Sequence, residues 1–202
     1  MIDFKKSDKH LYLPATTPTL VDVPAMQFLA VDGTGDPNTS PAYAAAVQTL
    51  YALAYTIKMG NKQTLEWVVP PLEGLWDHPD MDISADKSLF AWTVMIRQPD
   101  FVTGSVLDAA IASAARKKST PDLVATRLMP LVEGLCVQAM HIGPYDDEPA
   151  TVAAMREFAA AHGYLEDSDP NRRHHEIYLA DPRRTEPGKL RTVIRHPVKQ
   201  VL

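Results

Sequence analysis

The informative residue for chemistry is Glu176, in the strand-like stretch His174-His175-Glu176-Ile177-Tyr178-Leu179. Side chains alternate across a strand, so His174, Glu176 and Tyr178 share one face, and His175, Ile177 and Leu179 take the other. With Ile177 and Leu179 packed on the helix, Glu176 and Tyr178 face the inter-module groove. A carboxylate there has two readings: a hydrogen-bonded or Arg-paired group at a strand edge, or a cation receptor or base whose pKa rises on desolvation. Tyr43, Tyr51, Tyr55, Trp67, Trp76, Trp92, Tyr145 and Tyr178 supply aromatic walls of the kind that suit flat ligands and cations. The spacing predicts that Trp67, Trp92, Tyr145, Glu176 and Tyr178 converge on one cleft, with Met95 and His141 near its wall. Tyr55 and Trp76 are further ligand contacts, whereas Tyr43 and Tyr51 fit half-buried core positions.

Other arrangements carry less. Gly33-x-Gly35 lacks a third glycine and a helix directly behind it, so it reads as a turn rather than a dinucleotide site. His174, His175 and Glu176 resemble metal ligands, but alternation removes His175 from the other two, and no metal or cofactor is expected. Asp146, Asp147 and Glu148 precede Pro149, where acidic groups favour the positive end of a helix, and read as capping charges. Cys136 sits in an apolar run and reads as a buried, inert thiol.

The elements that must position these residues repeat. Residues 25–32 form an apolar strand closed by a Gly-rich turn, and a helix follows with Ser40 as N-cap, Pro41 at its first position and Gly60 at its end. Leu65 to Val69 and Leu89 to Ile96 are β-branched and aromatic runs, giving strand-helix-strand-strand over about 25–97. The same order returns over about 133–196: a strand from Gly134 to Ile142, a helix ending at Gly163, then strands His174 to Leu179 and Leu190 to Arg195. Between them, Gly104 to Lys118 and Pro121 to Met129 read as a helical insertion over about 103–129, its second helix capped by Thr120. The expectation is a single α+β domain over 1–202: two β-α-β-β modules about a pseudo-twofold axis, with a ligand cleft between them.

Composition agrees with a globular protein: 46% of residues are hydrophobic and 22% charged, with a net charge of -5. Residues 171–202 are basic, but no aromatic interleaving suited to base stacking accompanies them, so no direct nucleic-acid partner is expected. No run approaches the ~18 apolar residues of a membrane span, and the N-terminus lacks an apolar signal region. No membrane partner and a cytoplasmic location are the expectations; oligomeric state is left open.

Four segments together carry a family resemblance: Phe28-Leu29-Ala30-Val31-Asp32-Gly33; Val69-Pro70-Pro71-Leu72-Glu73-Gly74-Leu75-Trp76; Met140-His141-Ile142-Gly143-Pro144-Tyr145; and His174 to Leu179 with Asp181-Pro182-Arg183-Arg184-Thr185. Over about residues 20–198 the chain resembles the GyrI-like small-molecule-binding proteins of the SOUL/GyrI superfamily, in the stand-alone branch that lacks preceding DNA-binding helices. The resemblance implies a pair of SHS2-type β-α-β-β modules, a cleft glutamate, matched by Glu176, that receives cationic or polar ligands, and an aromatic cleft that takes hydrophobic, planar or cationic aromatic molecules. It also implies that some members hydrolyse the cyclopropane ring of DNA-alkylating cyclopropanoids, with Glu176 as base and Tyr145 assisting. Asp77 departs from the pattern, standing where many relatives carry a second aromatic residue after Trp76. The alternatives are a non-catalytic sequesterer or sensor, and a gyrase-inhibitor-like interaction protein.

Overall fold

The computed structural model describes residues 1–77, 86–116, 123, 125–170 and 172–201. Two short helical turns, α1 (Phe4–Ser7) and α2 (Lys9–Tyr12), lead into β1 (Thr19–Val23) and β2 (Met26–Thr34). Helix α3 (Pro41–Gly60) begins as its sequence dictates: the Ser40 hydroxyl accepts from Tyr43 N, and Pro41 occupies the first turn, where a missing N–H costs nothing. Then come β3 (Glu73–Asp77), β4 (Ala91–Gln98), α4 (Gly104–Ala115), β5 (Arg127–Leu131), β6 (Gly134–Ile142), α5 (Glu148–Ala161), β7 (Tyr164–Glu166), β8 (His174–Tyr178) and β9 (Arg191–Gln200). Among the described residues no helix is long and apolar enough to cross a membrane.

Strand pairing is antiparallel throughout, in the order β1-β6-β9-β8-β3-β4-β2-β5, with β7 added beside β9. Counted outward from the β3–β8 seam, the two sides read β3-β4-β2-β5 and β8-β9-β6-β1. Each side is built as strand, helix, strand, strand: β2-α3-β3-β4 and β6-α5-β8-β9. The α+β fold is thus a pair of β-α-β-β modules related by a pseudo-twofold axis at the seam. Helices α3 and α5 pack on the same sheet face, one per module, through the Leu29/Val94/Ile96 and Val137/Val152/Ile194 clusters. The space left between the helices lies over the seam.

Two elements differ from the sequence expectation. Leu65 to Val69 is not a ladder strand; it makes a single bridge, Trp67 to Ile2, and the place beside β4 belongs to Glu73–Asp77. Pro70 and Pro71 have no N–H to offer a ladder, while Glu73 and Gly74, poor strand formers alone, are held by partners on both sides. The helix expected to reach Met129 gives way to β5, an edge strand on β2, where Pro130 is tolerated. Its expected cap and start, Thr120, Pro121, Asp122 and Val124, lie outside the described residues, as do Lys117 and Lys118.

The opposite sheet face is covered by the N-terminal segment, with Leu11 and Tyr12 packed on Phe28, Met95, Met140 and Ile177. Set into this apolar layer is a closed ionic network. His175 bridges Glu73 (3.0 Å) and Glu133 (2.9 Å), Arg195 donates to Glu133 (2.9 Å) and to Leu11 O (3.0 Å), and the Tyr12 hydroxyl donates to Glu73 (3.0 Å). Two carboxylates and two cations balance, which makes burial of all four tolerable. Against the opposing effect of burial, the two glutamates raise the His175 pKa to about 9, and His175 and Arg195 lower that of Glu133 to about 2. His175 therefore contributes stability fully present below about pH 6.5 and lost as pH rises through about 9; Glu133 contributes stability present above about pH 4.5 and lost as pH falls toward 2. Replacing Glu133 with Gln should cost about 3–5 kcal/mol and flatten the fall in melting temperature between pH 6.5 and 9, measured by thermal denaturation across pH.

Candidate functional site

The gap between α3 and α5 is a cleft of about 1240 Å³, large enough for a drug-sized molecule. Its floor is the β3–β8 seam, where Gly74 pairs with Glu176. Gly74 is needed there, because a Cβ would stand 2.8 Å from Trp76 Nε1 and 3.1 Å from the Tyr178 hydroxyl, which hydrogen-bond each other at 2.9 Å. Tyr43 and Tyr51 from α3 form one wall, with Tyr43 stacked on Trp76 at 6.0 Å. Tyr145, ahead of α5, stands on the other side and meets Tyr178 edge-on at 5.9 Å. At the mouth, Lys87 from module one pairs with Asp146 from module two at 2.8 Å.

Within these walls lie two carboxyl groups. Glu176 is 9% exposed and accepts from His174 Nε2 at 2.9 Å. Glu148, the first residue of α5, is 3% exposed, and its Oε1 has no hydrogen-bond partner. Burial, then the neighbouring Glu176 charge, pushes the Glu148 pKa up to about 10, so Glu148 keeps its proton at neutral pH. Burial and Glu176 also push the Tyr145 hydroxyl up to about 12 and Tyr178 well above its ordinary value. The cleft thus presents one carboxylate, one carboxylic acid and several protonated phenols.

The ligand atoms of Glu148, His174 and Glu176 lie within 4.8 Å of one another, a spacing a divalent cation could bridge. His174 Nε2 is engaged with Glu176 Oε1 at 2.9 Å, and burial with the neighbouring Glu176 charge keeps a proton on Glu148.

Of the residues expected at the site, Glu176, Tyr145, Tyr178 and Trp76 line the cleft, with Tyr55 at its rim, 52% exposed. Trp67, Trp92, Met95 and His141 do not line it. Trp67 is wholly buried against Phe101, because its segment lies beneath α4 rather than in the ladder. Trp92 lies flat over its cross-strand partner Gly33, where a Cβ would meet the ring at 2.1 Å, and supports the wall only through its edge contact with Tyr43 at 5.2 Å. Met95 faces the opposite layer by strand parity. His141 is spent on Thr151 Oγ1 (2.9 Å) and Pro144 O (3.0 Å), fixing the turn into α5. Tyr43 and Tyr51 are half-buried against the core, as expected, and also line the cleft. Glu148, expected as a cap, is the functional residue that sequence reasoning missed. Its one signal was redundancy, three consecutive acids where a helix start needs one.

The match to known families decides the assignment. Residues 16–199 match the GyrI-like small molecule binding domain. The chain belongs to that family. Among solved structures, this GyrI-like domain is similar to an uncharacterized conserved protein from Listeria innocua, 45% identical over 98% of this chain and 100% of that one, with a TM-score of 0.93. A protein from Listeria innocua described as a hydrolase is 44% identical over 98% and 100% of the two chains, with a TM-score of 0.90. The C-terminal domain of EcmrR, 12% identical over 91% and 98%, shares the fold at a TM-score of 0.53. No curated protein matches the chain. Family membership makes this a small-molecule binding domain.

Because Glu148 is buried with its proton on, a Glu148→Gln variant should match the parent in stability near pH 4.5. It should then become progressively more stable than the parent as pH rises toward 8, by about 1 kcal/mol per pH unit. The parent must hold a proton that its unfolded chain releases above about 4.5, whereas the amide has none to hold. Denaturant titrations at pH 5 and 8 measure the difference.

Proposed function

We propose that this GyrI-like domain binds planar, hydrophobic or cationic aromatic molecules in its cleft and hydrolyses strained electrophiles among them, opening the cyclopropane ring of cyclopropanoid genotoxins. The observation that carries the reading is the desolvated pair of Glu176 and protonated Glu148 under an aromatic canopy. The hydrolase description of a Listeria innocua protein 44% identical over nearly the whole chain supports the same class of reaction.

The steps balance as follows. A water held by Glu176 loses one proton to it as the water oxygen attacks the ring methylene. The cyclopropane C–C bond breaks, and its electron pair moves through the conjugated dienone to the carbonyl oxygen, leaving a phenolate that takes its proton from bulk water as the product leaves the cleft. Oxygen and methylene lie at opposite ends of the conjugated system, so different groups serve them. Tyr145, which keeps its hydroxyl hydrogen to about pH 12, suits the oxygen end as hydrogen-bond donor. Glu148, staying neutral, leaves Glu176 as the only carboxylate of the pair and provides a hydrogen to orient the water. Tyr43 and Trp76 provide flat surfaces for the ring system.

The aromatic lining around a buried carboxylate also favours simple capture of organic cations, so binding without turnover is the second reading. Incubation with a cyclopropanoid alkylator, followed by mass spectrometry of the small molecule, separates the two. The hydrolytic reading requires a water adduct, and a recovered ligand of unchanged mass supports capture alone. In Glu176→Gln, the hydrolytic rate should fall ~100-fold or more with little loss of stability. Affinity should drop for cations and much less for neutral planar ligands. Parental turnover by the Gln variant would remove Glu176 as the base.

A further inference from the structure

Behind Glu176 runs an unbroken line of hydrogen bonds that the binding cleft does not use. Glu176 Oε1 meets His174 Nε2 at 2.9 Å, His174 Nδ1 meets His196 Nε2 at 2.6 Å, and His196 Nδ1 meets Glu166 Oε1. The two rings are 8% and 4% exposed, lie edge to face at 4.8 Å, and do not line the cleft. Glu166 is different: its side chain is 27% exposed, and it also accepts from Arg156 Nε at 3.0 Å. The placement follows from the sheet. His174 and Glu176 are alternate residues of β8, His196 is on neighbouring β9, and Glu166 is on β7, the strand added beside β9.

Counting hydrogens shows what such a line can do. A carboxylate can only accept, so the three bonds need three hydrogens shared among two carboxyls and four ring nitrogens. Three arrangements satisfy this: Glu176 protonated with both rings neutral, both carboxylates ionised with one positive charge shared by the rings, or Glu166 protonated with both rings neutral. They interconvert when hydrogens slide along bonds already formed, with no side chain turning. The titratable groups facing the rings are Glu176, Glu166 and the protonated Glu148, with Arg156 beyond Glu166. Burial, against the pull of its bond to Glu166, holds His196 below its ordinary pKa. Glu166 is held near 2, mainly by His196 and Arg156 against the effect of burial, and so gives up its proton readily to water.

We propose that His174 and His196 are a proton relay that carries the proton taken up by Glu176 out to Glu166, and so to solvent, while a ligand fills the cleft. The proposal deepens the reading of Glu176 as a base. A planar molecule stacked in the cleft blocks water on that side, and the relay leaves the site from behind. One hydrogen enters at Glu176 and one leaves at Glu166, so charge and atoms balance. His174 and His196 act through Glu176 and touch no substrate; they are positioning residues.

Two measurements test the relay. The first needs no activity: ¹⁵N NMR of the histidine rings in the parent, Glu176→Gln and Glu166→Gln, followed across pH. A relay predicts that Glu176→Gln shifts the tautomer populations of the distant His196, and that Glu166→Gln shifts those of His174. If each substitution moves only the ring it touches, the relay is overturned, whether or not the protein is an enzyme. The second uses a cyclopropanoid alkylator as probe. Glu166→Gln keeps an acceptor for Arg156 and should leave ligand affinity and the first turnover intact. It should slow the steady-state rate ~10-fold, with partial rescue by added imidazole buffer. A full steady-state rate in Glu166→Gln overturns the relay and leaves Glu176 standing as the base. If the parent shows no turnover, the reading of Glu176 as base fails, and the NMR result alone decides the relay.

Discussion

Two carboxyl groups brought together out of water cannot both carry charge at neutral pH, and this constraint governs the chemistry of the cleft. Glu148 arrives from the first turn of α5 in a nearly closed environment, with an oxygen that finds no partner, and it resolves the conflict by keeping its proton. Glu176 can then remain the carboxylate because His174 supplies a hydrogen to it. The surrounding phenols, raised by burial and by that same charge, stay protonated. One negative charge inside an apolar, aromatic space attracts cations and is also a base with few waters to quiet it.

The sheet keeps this group apart from a second set of buried charges. Alternation along β8 sends Glu176 to the helix-covered face and His175 to the other, where it joins Glu73, Glu133 and Arg195 in a neutral cluster beneath the N-terminal segment. The two sets differ in kind. The His175 cluster is closed, each charge paired within it, and it locks β3, β8, β9 and the β5–β6 connection together. The Glu176 set is left unbalanced toward the cleft and open at its far end through Glu166. One stabilises the platform, and the other uses it.

Much of this was legible in the sequence wherever a local rule had no competitor. The Ser40-Pro41 start of α3, the run from Gly134 to Ile142, and the parity that puts Glu176 and Tyr178 on one face follow from capping and alternation alone; which face that is does not, because Ile177 and Leu179, expected on the helix, pack beneath the N-terminal segment, and Glu176 takes the helix-covered side. Reading failed where tertiary partners decide. Leu65 to Val69 has strand-forming residues but no ladder partner beyond one bridge, whereas Glu73–Asp77, with a glycine and two acids, is a central strand. Trp67 and Trp92 are large aromatics whose burial in the core depends on Phe101, ahead of α4, and on the bare backbone of Gly33. Glu148 was hidden because a glutamate at a helix start is adequately explained by the dipole, and nothing local shows that the turn delivers it to a carboxylate on β8.

The central claim is that Glu148 and Glu176 share a single negative charge at neutral pH. Infrared difference spectroscopy on protein with ¹³C-labelled glutamate side chains reads it directly, through the carbonyl stretch that only a protonated carboxyl shows. The account predicts one such band at pH 7.5 that persists on titration to about pH 9, is lost in Glu148→Gln, and survives in Glu176→Gln. A spectrum at pH 7.5 with every glutamate ionised would contradict it.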